Sequence, residues 1–490
     1  MKNHKSLCIL CALLLAGCGA VDGSTAAEKP SKISVTDSSS QDSTDATSSE
    51  DESSEIPELE TTSEADSNES KPESIAPNTP DPITYIPEGA ETELTIFSYT
   101  DPNNSDDTAL KIALLLFDRY GGTVKLDRYS NSNDRYDELA ARLISGSDIP
   151  DMMWMDNFSF PSYAVKELFQ PIDGIVDFES SLWAETKETA DLYSINGRHY
   201  VAPISVTPGS LMLYRKDVVE ESGLDDPYEL YMNGEWNRET LFGLMDTFCE
   251  QEGHYGINGY FTDSLFRAEG LPIVGFDGKK FINNMDNEKL LPIVDYLYDI
   301  RDQGYIASGW WDKGEDALED GNILFYSMGP WAMTGTRPLT EQKYGLVPMP
   351  SENDAYTVGD VHGMLWVAGS KKADAMKTWL ECMRYCETEG AAYGDIRKAF
   401  FEENPGWTDE MYEVYMQQTD FDKPLVSEYV YGLSPELTTI DQELGYAPAD
   451  LVTDPITSMY LDKQYDWKQL QSMYSGLIDE YIRDYNEYSR

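Results

Sequence analysis

A chain of 490 residues is too long for one compact core and predicts two or more lobes. With 41% hydrophobic and 12% aromatic residues, it has ample material for buried cores. Its formal net charge of -53 argues against anionic partners, because a field of that sign repels nucleic-acid phosphates and anionic lipid headgroups.

The chain begins with the pattern of an export signal. Two lysines are followed by an apolar run from Leu7 to Leu15, which is too short to span a bilayer as a stable helix. The tetrapeptide LAGC at residues 15–18 resembles a bacterial lipobox, in which small residues admit the peptidase and the cysteine thiol accepts a diacylglycerol. We therefore expect residues 1–17 to be a lipoprotein signal peptide and Cys18 to anchor the protein on the extracytoplasmic face of the cell membrane. An ordinary signal peptide cleaved nearby and a chance tetrapeptide are the alternatives.

Residues 18–92 are rich in Ser, Thr, Asp, Glu and Pro and have almost no aromatic residue before Tyr85. Such a stretch cannot bury enough apolar surface to offset its ordering entropy, so it predicts a disordered acidic linker. A flexible chain of this length spans roughly 50 Å and would hold a folded domain clear of the lipid. O-glycosylation is another use of this composition, and both uses stay open. Residues 93–490 keep 71 acidic and 31 basic side chains, which indicates a solvated acidic surface.

Three cysteines remain beyond Cys18, and three thiols force no disulfide framework. Cys382 and Cys386 are four residues apart in a helical pattern, which places them on one face. Zinc needs four ligands, and the whole chain has only 4 histidines. We therefore expect these two thiols to pack in a core, and we expect neither a metal nor another cofactor.

Strand-like and helix-like segments alternate from Glu93 onward. Since such alternation predicts a parallel sheet covered on both faces, ligands are expected at the carboxyl ends of the strands. Tyr99 and Asp101 follow the first strand, and Asp156 and Phe158 follow the third, so these four residues are candidates for one cleft. The predicted elements are strands at 94–99, 123–129 and 151–155 and helices at 108–120 and 134–145.

Several short motifs occur in a particular order between Glu93 and Tyr385. No one of them is specific, but their order and spacing together resemble those of the maltose-binding-protein-like (family 1) extracellular solute-binding proteins. The motifs are IPDMMW at 149–154, LFQPI at 168–172, NGRHYVAP at 196–203, LYRKD at 213–217, NILF at 322–325, MGPW at 328–331 and YGLVPMP at 344–350.

The resemblance implies an α/β, two-lobed, periplasmic-binding-protein-like (type II) fold, in which each lobe is a mostly parallel sheet flanked by helices and a hinge joins the lobes. The chain would cross between lobes near residues 206–211 and again near 359–368, with Pro208 and Gly209 as backbone switches. The first lobe would comprise residues 93–205 and 364–407, and the second residues 211–358 and 408–490.

The resemblance also implies capture of a small solute by hinge closure and its delivery to the permease subunits of an ABC transporter, with the protein acting as a monomer. The aromatic content favours a sugar or oligosaccharide, because sugar sites combine aromatic planes with carboxylates and amides. Trp331 matches the family's stacking tryptophan after "GP". Further candidates are Trp310 and Trp311 in a polar stretch, Asp360 and His362 near the second crossing, and Trp366 in an apolar run.

Enzyme classes are weakly supported. The chain has no G-x-x-x-x-G-K-[ST], so the transporter's ATPase would be another chain, and it has no H-E-x-x-H for a zinc hydrolase. A secreted glycan-acting hydrolase with paired carboxylates is one alternative, since geometry decides such pairs. A sensor component that presents ligand to a receptor is another. Amine ligands would also suit an acidic, aromatic cleft.

Overall fold

The computed structural model describes residues 82–105, 107–129, 134–209, 211–352, 355–388, 393–419, 421, 423–434 and 466–488. The chain divides into a unit of residues 1–73 and a unit of residues 74–490, and every described residue belongs to the second. The predicted signal peptide, Cys18 and most of the predicted linker lie outside the described residues.

The predicted linker extends too far toward the folded unit. Ile83 is 5% exposed and packs into the core around Trp379, and the Thr84 amide donates to the Glu381 carboxylate at 2.6 Å. An apolar side chain and a satisfied backbone group therefore hold residues 83 and 84 in place, so ordered structure begins about ten residues before the predicted boundary at Glu93.

A seven-stranded sheet, with the order β15-β14-β3-β1-β2, forms one layer. β1 runs parallel to both β2 and β3, whereas β14 runs antiparallel to β3, β4 and β7 and parallel to β15. Its strands are β1 (Glu93–Ser98), β2 (Thr123–Arg128), β3 (Met152–Trp154), β4 (Phe169–Gln170), β7 (Val201–Pro208), β14 (Thr357–Val367) and β15 (Leu425–Val426).

A second sheet has the order β13-β8-β12-β9, in which only the pairing of β12 with β9 is parallel. The strands of both sheets are thus more mixed in direction than the predicted mostly parallel sheets, because β8 and β14 are reached by direct connections without a crossover helix. The remaining strands are β5 (Ser194–Ile195), β6 (Arg198–His199), β8 (Leu211–Arg215), β9 (Tyr255–Gly259), β10 (Val274–Phe276), β11 (Phe281–Asn283), β12 (Ile323–Met328) and β13 (Tyr344–Pro348).

β5 and β6 form a small hairpin whose two-residue turn is Asn196-Gly197. Both residues have positive φ, 55° and 69°, which suits the tight turn that the twist of a hairpin favours. The turn and β6 belong to the NGRHYVAP motif, and β5 precedes it.

Helices cover the sheets, and many begin at an oxygen-bearing cap. The Asp107 carboxylate accepts from the amides of Ala109 and Leu110, for example, and so starts α1. The helices are α1 (Thr108–Arg119), α2 (Arg135–Ser145), α3 (Ser162–Val165), α4 (Lys187–Asp191), α5 (Lys216–Glu221), α6 (Pro227–Met232), α7 (Arg238–Phe248), α8 (Thr262–Ala268), α9 (Leu291–Gln303), α10 (Gly314–Ala317), α11 (Ala373–Cys386), α12 (Tyr393–Glu403), α13 (Asp409–Gln417), α14 (Val430–Leu433) and α15 (Trp467–Tyr488). Within the described residues, no helix is both long and apolar enough to cross a membrane.

The core of the first sheet lies under α1 and α11, where Phe117 and Trp379 meet edge to face at 5.3 Å. Cys382 and Cys386 lie in this core, 0% and 2% exposed, which confirms the predicted core packing. A second cluster covers one face of the other sheet, around Trp407, and a third continues from one sheet to the other.

β7 and β14 carry the chain between the sheets and pair with each other over most of their lengths, with Gly359 opposite Pro208. β8 and the second sheet begin at Leu211, directly after β7, and β14 follows β13 of the second sheet. The paired strands therefore lie where both predicted crossings were placed.

Candidate binding site

An aromatic surface follows β12 in the second sheet. Trp331 is 40% exposed, its ring stacks on Trp310 at 6.4 Å between centroids, and Trp310 packs on Tyr260 at 5.0 Å. We call Tyr260, Trp310 and Trp331 the aromatic shelf. It brings two of the predicted residues together and offers a flat face of the kind that the C–H surface of a sugar ring covers.

Gly329 is required by the aromatic shelf. A Cβ at this position would lie 2.8 Å from Cδ1 and Nε1 of Trp331, so a side chain would displace the indole. The Arg337 guanidinium lies over the Trp331 ring, 5.4 Å from its centroid. Contacts with Trp310 and Arg337 therefore position Trp331, which is still 40% exposed.

Trp311 is turned away from the aromatic shelf. Its backbone amide donates to the Tyr326 hydroxyl at 3.3 Å, that hydroxyl donates to the Trp311 carbonyl at 2.6 Å, and the two rings meet at 89°. Both tryptophans pack against the core of the second sheet, but only Trp310 also stacks on Trp331 of the shelf, whereas Trp311 contacts Tyr326.

His362 lies on β14, stacked on Trp154 with 4.6 Å between ring centroids. Its Nδ1 is 3.5 Å from the Ser205 hydroxyl on β7. Burial lowers the pKa of His362, and the charge of Asp107 opposes that effect only in part. Trp366, farther along β14, packs against the core that lies under α1 and α11. Among the described residues, its buried indole N–H has no hydrogen-bond partner.

Asp360 is held by a buried guanidinium. Arg267 on α8 is 4% exposed; one of its nitrogens lies 3.1 Å from Asp360 and another 3.3 Å from Asp263. It also donates to the carbonyls of Val426, at 2.8 Å, and of Gly359. Arg267 therefore joins the second sheet's helix α8 to β14 and β15 where the chain crosses between sheets.

Asp156 and Phe158 make their contacts within the protein. The Asp156 carboxylate accepts from the Arg135 guanidinium at 2.6 Å, from the Tyr136 hydroxyl at 2.5 Å and from the Phe158 amide at 3.0 Å. The Phe158 ring packs on Tyr431 at 5.6 Å, under the same guanidinium. The loop after β3 is thus a stabilised turn.

Tyr99 and Asp101 lie on the loop after β1. Tyr99 is 55% exposed and packs loosely on Tyr129, with 6.2 Å between centroids. Asp101 caps a short 3₁₀ helix by accepting from the amide and side chain of Asn103 at 3.0 Å. Their roles in ligand contact, like those of the other candidates, stay predictions.

A cavity of about 750 Å³ opens beside His362. Ser205 of β7 and the last turn of α11 form one side of it, and α13, which packs on β13 of the second sheet, forms the other. None of the ten predicted ligand-binding residues is among the described residues that line it. The lining residues are Ser181, Glu185, Ser205, Arg384, Glu387, Thr388, Arg397, Tyr412, Glu413, Met416, Gln417, Thr419 and Phe421.

These lining residues were missed because they come from helices beyond the motifs that carried the sequence argument. One signal was available: Tyr412 and Tyr415 are three residues apart on α13 and reach toward Phe400 of α12, at 5.1 and 6.2 Å. Such spacing places both rings on one helix face. The sequence therefore predicts an aromatic face on α13, but it does not indicate which residues lie on the opposite side of the cavity.

The two arginines of the cavity are already paired. Arg384 donates to the carbonyls of Ile204, at 2.6 Å, and Leu182, at 3.3 Å, and to the Glu185 carboxylate. Burial lowers the pKa of Arg384 to about 10. Arg397 contacts Asp409 at 2.6 Å.

The Glu387 carboxylate differs from the two arginines in its hydrogen bonding. Among the described residues no hydrogen-bond donor reaches its carboxylate. Burial raises its pKa to about 7, and the nearby charge of Asp107 adds to this more than Arg384 subtracts. The cavity thus contains a desolvated carboxylate that accepts no hydrogen bond from any described residue.

α1 and α12 meet at one end of the cavity. The Glu403 carboxylate accepts from the Thr108 hydroxyl at 3.4 Å and lies 3.7 Å from Lys111 Nζ. Since these side chains are partly exposed, the contact is weak and can open without a large energetic cost.

Several solved structures have the same fold. The GacH receptor of Streptomyces glaucescens, solved unliganded and with acarbose, is 15% identical with a TM-score of 0.57, over 80% of this chain and 99% of that one. The cyclic α-maltosyl-1,6-maltose binding protein from Arthrobacter globiformis is 16% identical with a TM-score of 0.56, over 81% and 99%. The galacto-N-biose/lacto-N-biose I-binding protein of an ABC transporter from Bifidobacterium longum is 13% identical with a TM-score of 0.54, also over 81% and 99%.

A comparison with curated protein sequences finds no match. A sequence profile described as "Bacterial extracellular solute-binding protein" matches residues 118–395, which is more than half of the chain. The structural similarities confirm the predicted fold class. The chain therefore belongs to the bacterial extracellular solute-binding protein family and has a two-lobed, type II periplasmic-binding-protein fold.

Proposed function

We propose that this protein captures a saccharide in the cavity between Ser205 and α13 and passes it unchanged to an ABC permease. The observation that carries the proposal is the cavity itself: about 750 Å³ of space lies between elements of the two sheets, next to the strands that connect them. That volume is in the range of sites that enclose a small molecule. The three relatives with this fold are described as binding saccharides or acarbose.

Capture would follow from a hinge at β7 and β14. Rotation there moves α13, in the second lobe, relative to the end of α11, in the first, so the cavity between them closes and opens. The lobes proposed are residues 93–205 with 364–407 and residues 211–358 with 408–490. The aromatic shelf would extend the binding surface toward longer saccharides.

The lipid anchor at Cys18 and delivery to a permease complete the proposal. Both are supported by the family, whose members act outside the cytoplasm, and by the LAGC motif. Labelling with a radioactive fatty acid, compared between the wild type and Cys18→Ser, tests the anchor. Label that persists in Cys18→Ser contradicts it.

Calorimetry of the purified full chain against neutral oligosaccharides, amino acids and polyamines tests the binding function. We expect heat from saccharides, and a decrease in the radius of gyration on binding. Ser205→Phe, which fills the cavity, should abolish the heat, whereas Thr123→Phe on the exposed edge strand β2 should not. The function is wrong if no saccharide binds, or if incubation releases hydrolysed glycan.

A further inference from the structure

The charges that line the cavity do not balance. Arg384 is paired with Glu185, and Arg397 with Asp409, so both guanidinium groups are neutralised by the protein. Two lining carboxylates remain. Glu413 accepts from the Tyr228 hydroxyl at 3.2 Å, which is a neutral donor, and Glu387 has no donor among the described residues. The cavity therefore contains negative charge that no ion pair among the described residues neutralises.

Glu387 is also the carboxylate that the surroundings stabilise least. It follows α11, its side chain is partly buried, and Asp107 at the start of α1 adds a second negative charge nearby. A buried carboxylate that lacks donors costs free energy, which a cation would recover by forming a charge-assisted hydrogen bond.

The other groups on the lining suit a sugar. Tyr412 and Phe421 supply aromatic surface, and Ser205, Thr388 and Gln417 supply groups that can both donate and accept hydrogen bonds. A small polyamine would use the carboxylate but would leave these groups and much of the 750 Å³ unfilled.

From this arrangement we infer that the cavity takes a saccharide bearing a protonated amine, with Glu387 as the carboxylate that receives the ammonium group. The inference rests on the proposed function and specifies its ligand class. A uronic acid is disfavoured, because its carboxylate would meet Glu387 and Glu413 while both arginines are engaged.

The test compares one sugar backbone in several charge states. Calorimetry of the full chain at neutral pH would use chitosan disaccharide, its N-acetylated form, cellobiose and a cellobiouronic acid. We expect the amine to bind at least about tenfold more tightly than the neutral sugars, with the uronic acid weakest. Added salt should reduce the preference.

Glu387→Gln should remove the tenfold preference, so that the amine-bearing sugar and cellobiose bind to the variant with affinities within about twofold of each other. Glu402→Gln is the matched control, because it removes the same charge from an exposed residue that forms a surface ion pair with Lys398. If Glu387→Gln does not fold, as judged by circular dichroism, Glu413→Gln is used, and it should reduce the preference by a smaller factor.

Equal binding of amine and neutral sugars, or tighter binding of the uronic acid, would overturn the inference and leave the proposed function intact. Binding of none of these sugars, nor of other glycans, would overturn both.

Discussion

Arg267 is the residue whose removal we expect to affect this protein most. It is 4% exposed and connects α8 with the carbonyls of Gly359 and Val426 and with two carboxylates. Arg267→Met keeps most of the volume but leaves Asp263 buried without its counter-ion. Removing one partner of a buried ion pair costs about 3–5 kcal/mol, and two carbonyls lose their donors as well. We therefore expect the free energy of unfolding to fall by about 3–5 kcal/mol.

The loss should depend on pH in a defined direction. Burial already raises the pKa of Asp263, and Arg267 opposes that shift, so the variant raises the pKa further. A carboxyl whose folded-state pKa is raised stabilises the fold at low pH, and this contribution is lost as the pH rises through that pKa. The deficit of Arg267→Met should therefore be smaller at acid pH than at neutral pH.

Urea denaturation at both pH values measures these differences. Adding Asp263→Asn to Arg267→Met should restore part of the stability at neutral pH, because the buried charge is then absent. Arg483→Met is the control; its guanidinium is 58% exposed, and its loss should cost less than about 1 kcal/mol. A loss below about 1 kcal/mol for Arg267→Met, or an equal loss at both pH values, would refute the reasoning.

Three further changes test the shelf and the cavity. Trp331→Ala should weaken the binding of longer oligosaccharides, which reach the aromatic shelf, by about 1 kcal/mol or more in calorimetry, with little change in stability because the ring is 40% exposed. Unchanged affinity for long oligosaccharides would show that the ligand does not reach the shelf. Gly329→Ala should displace the Trp331 indole, visible as a change in tryptophan fluorescence, whereas Gly243→Ala, in open space on a helix, should be neutral or stabilising; identical spectra would contradict the contact. Glu387→Gln should flatten the pH dependence of the free energy of unfolding. Because folding raises the pKa of Glu387 from 4.5 to about 7, the wild type loses at most about 3 kcal/mol of stability as the pH increases through this range. Parallel stability curves for wild type and variant would show that Glu387 is not desolvated.

Local pattern was sufficient for the individual elements of the first sheet. The strands predicted at 94–99 and 123–129 appear as Glu93–Ser98 and Thr123–Arg128, and the helix predicted at 108–120 as Thr108–Arg119. Hydrophobic periodicity and the cap at Asp107 determine these bounds, and both act between residues close in sequence.

Strand directions and the contacts of the candidate ligand-binding residues could be determined only from the tertiary structure. β14 runs antiparallel to β3 because it arrives directly from the second sheet, which no local pattern in residues 357–367 indicates. Asp156 had the right position after a strand, yet Arg135 and Tyr136 occupy its carboxylate. The side chains nearest a predicted cleft were thus engaged by neighbours that only packing reveals.

The sequence by itself determined the family, the alternation of strands and helices, and the packing of Cys382 and Cys386, and it singled out Trp331 of MGPW as a candidate. These features depend on periodicity, motif order and residue type, which are properties of the chain. Only the tertiary structure decided that Ser205, Glu387 and Tyr412 share one cavity, because they are separated by up to about two hundred residues and meet through the crossing of β7 and β14. Charge left unpaired in a cavity is a property of everything that surrounds it, and no segment of the chain records it alone.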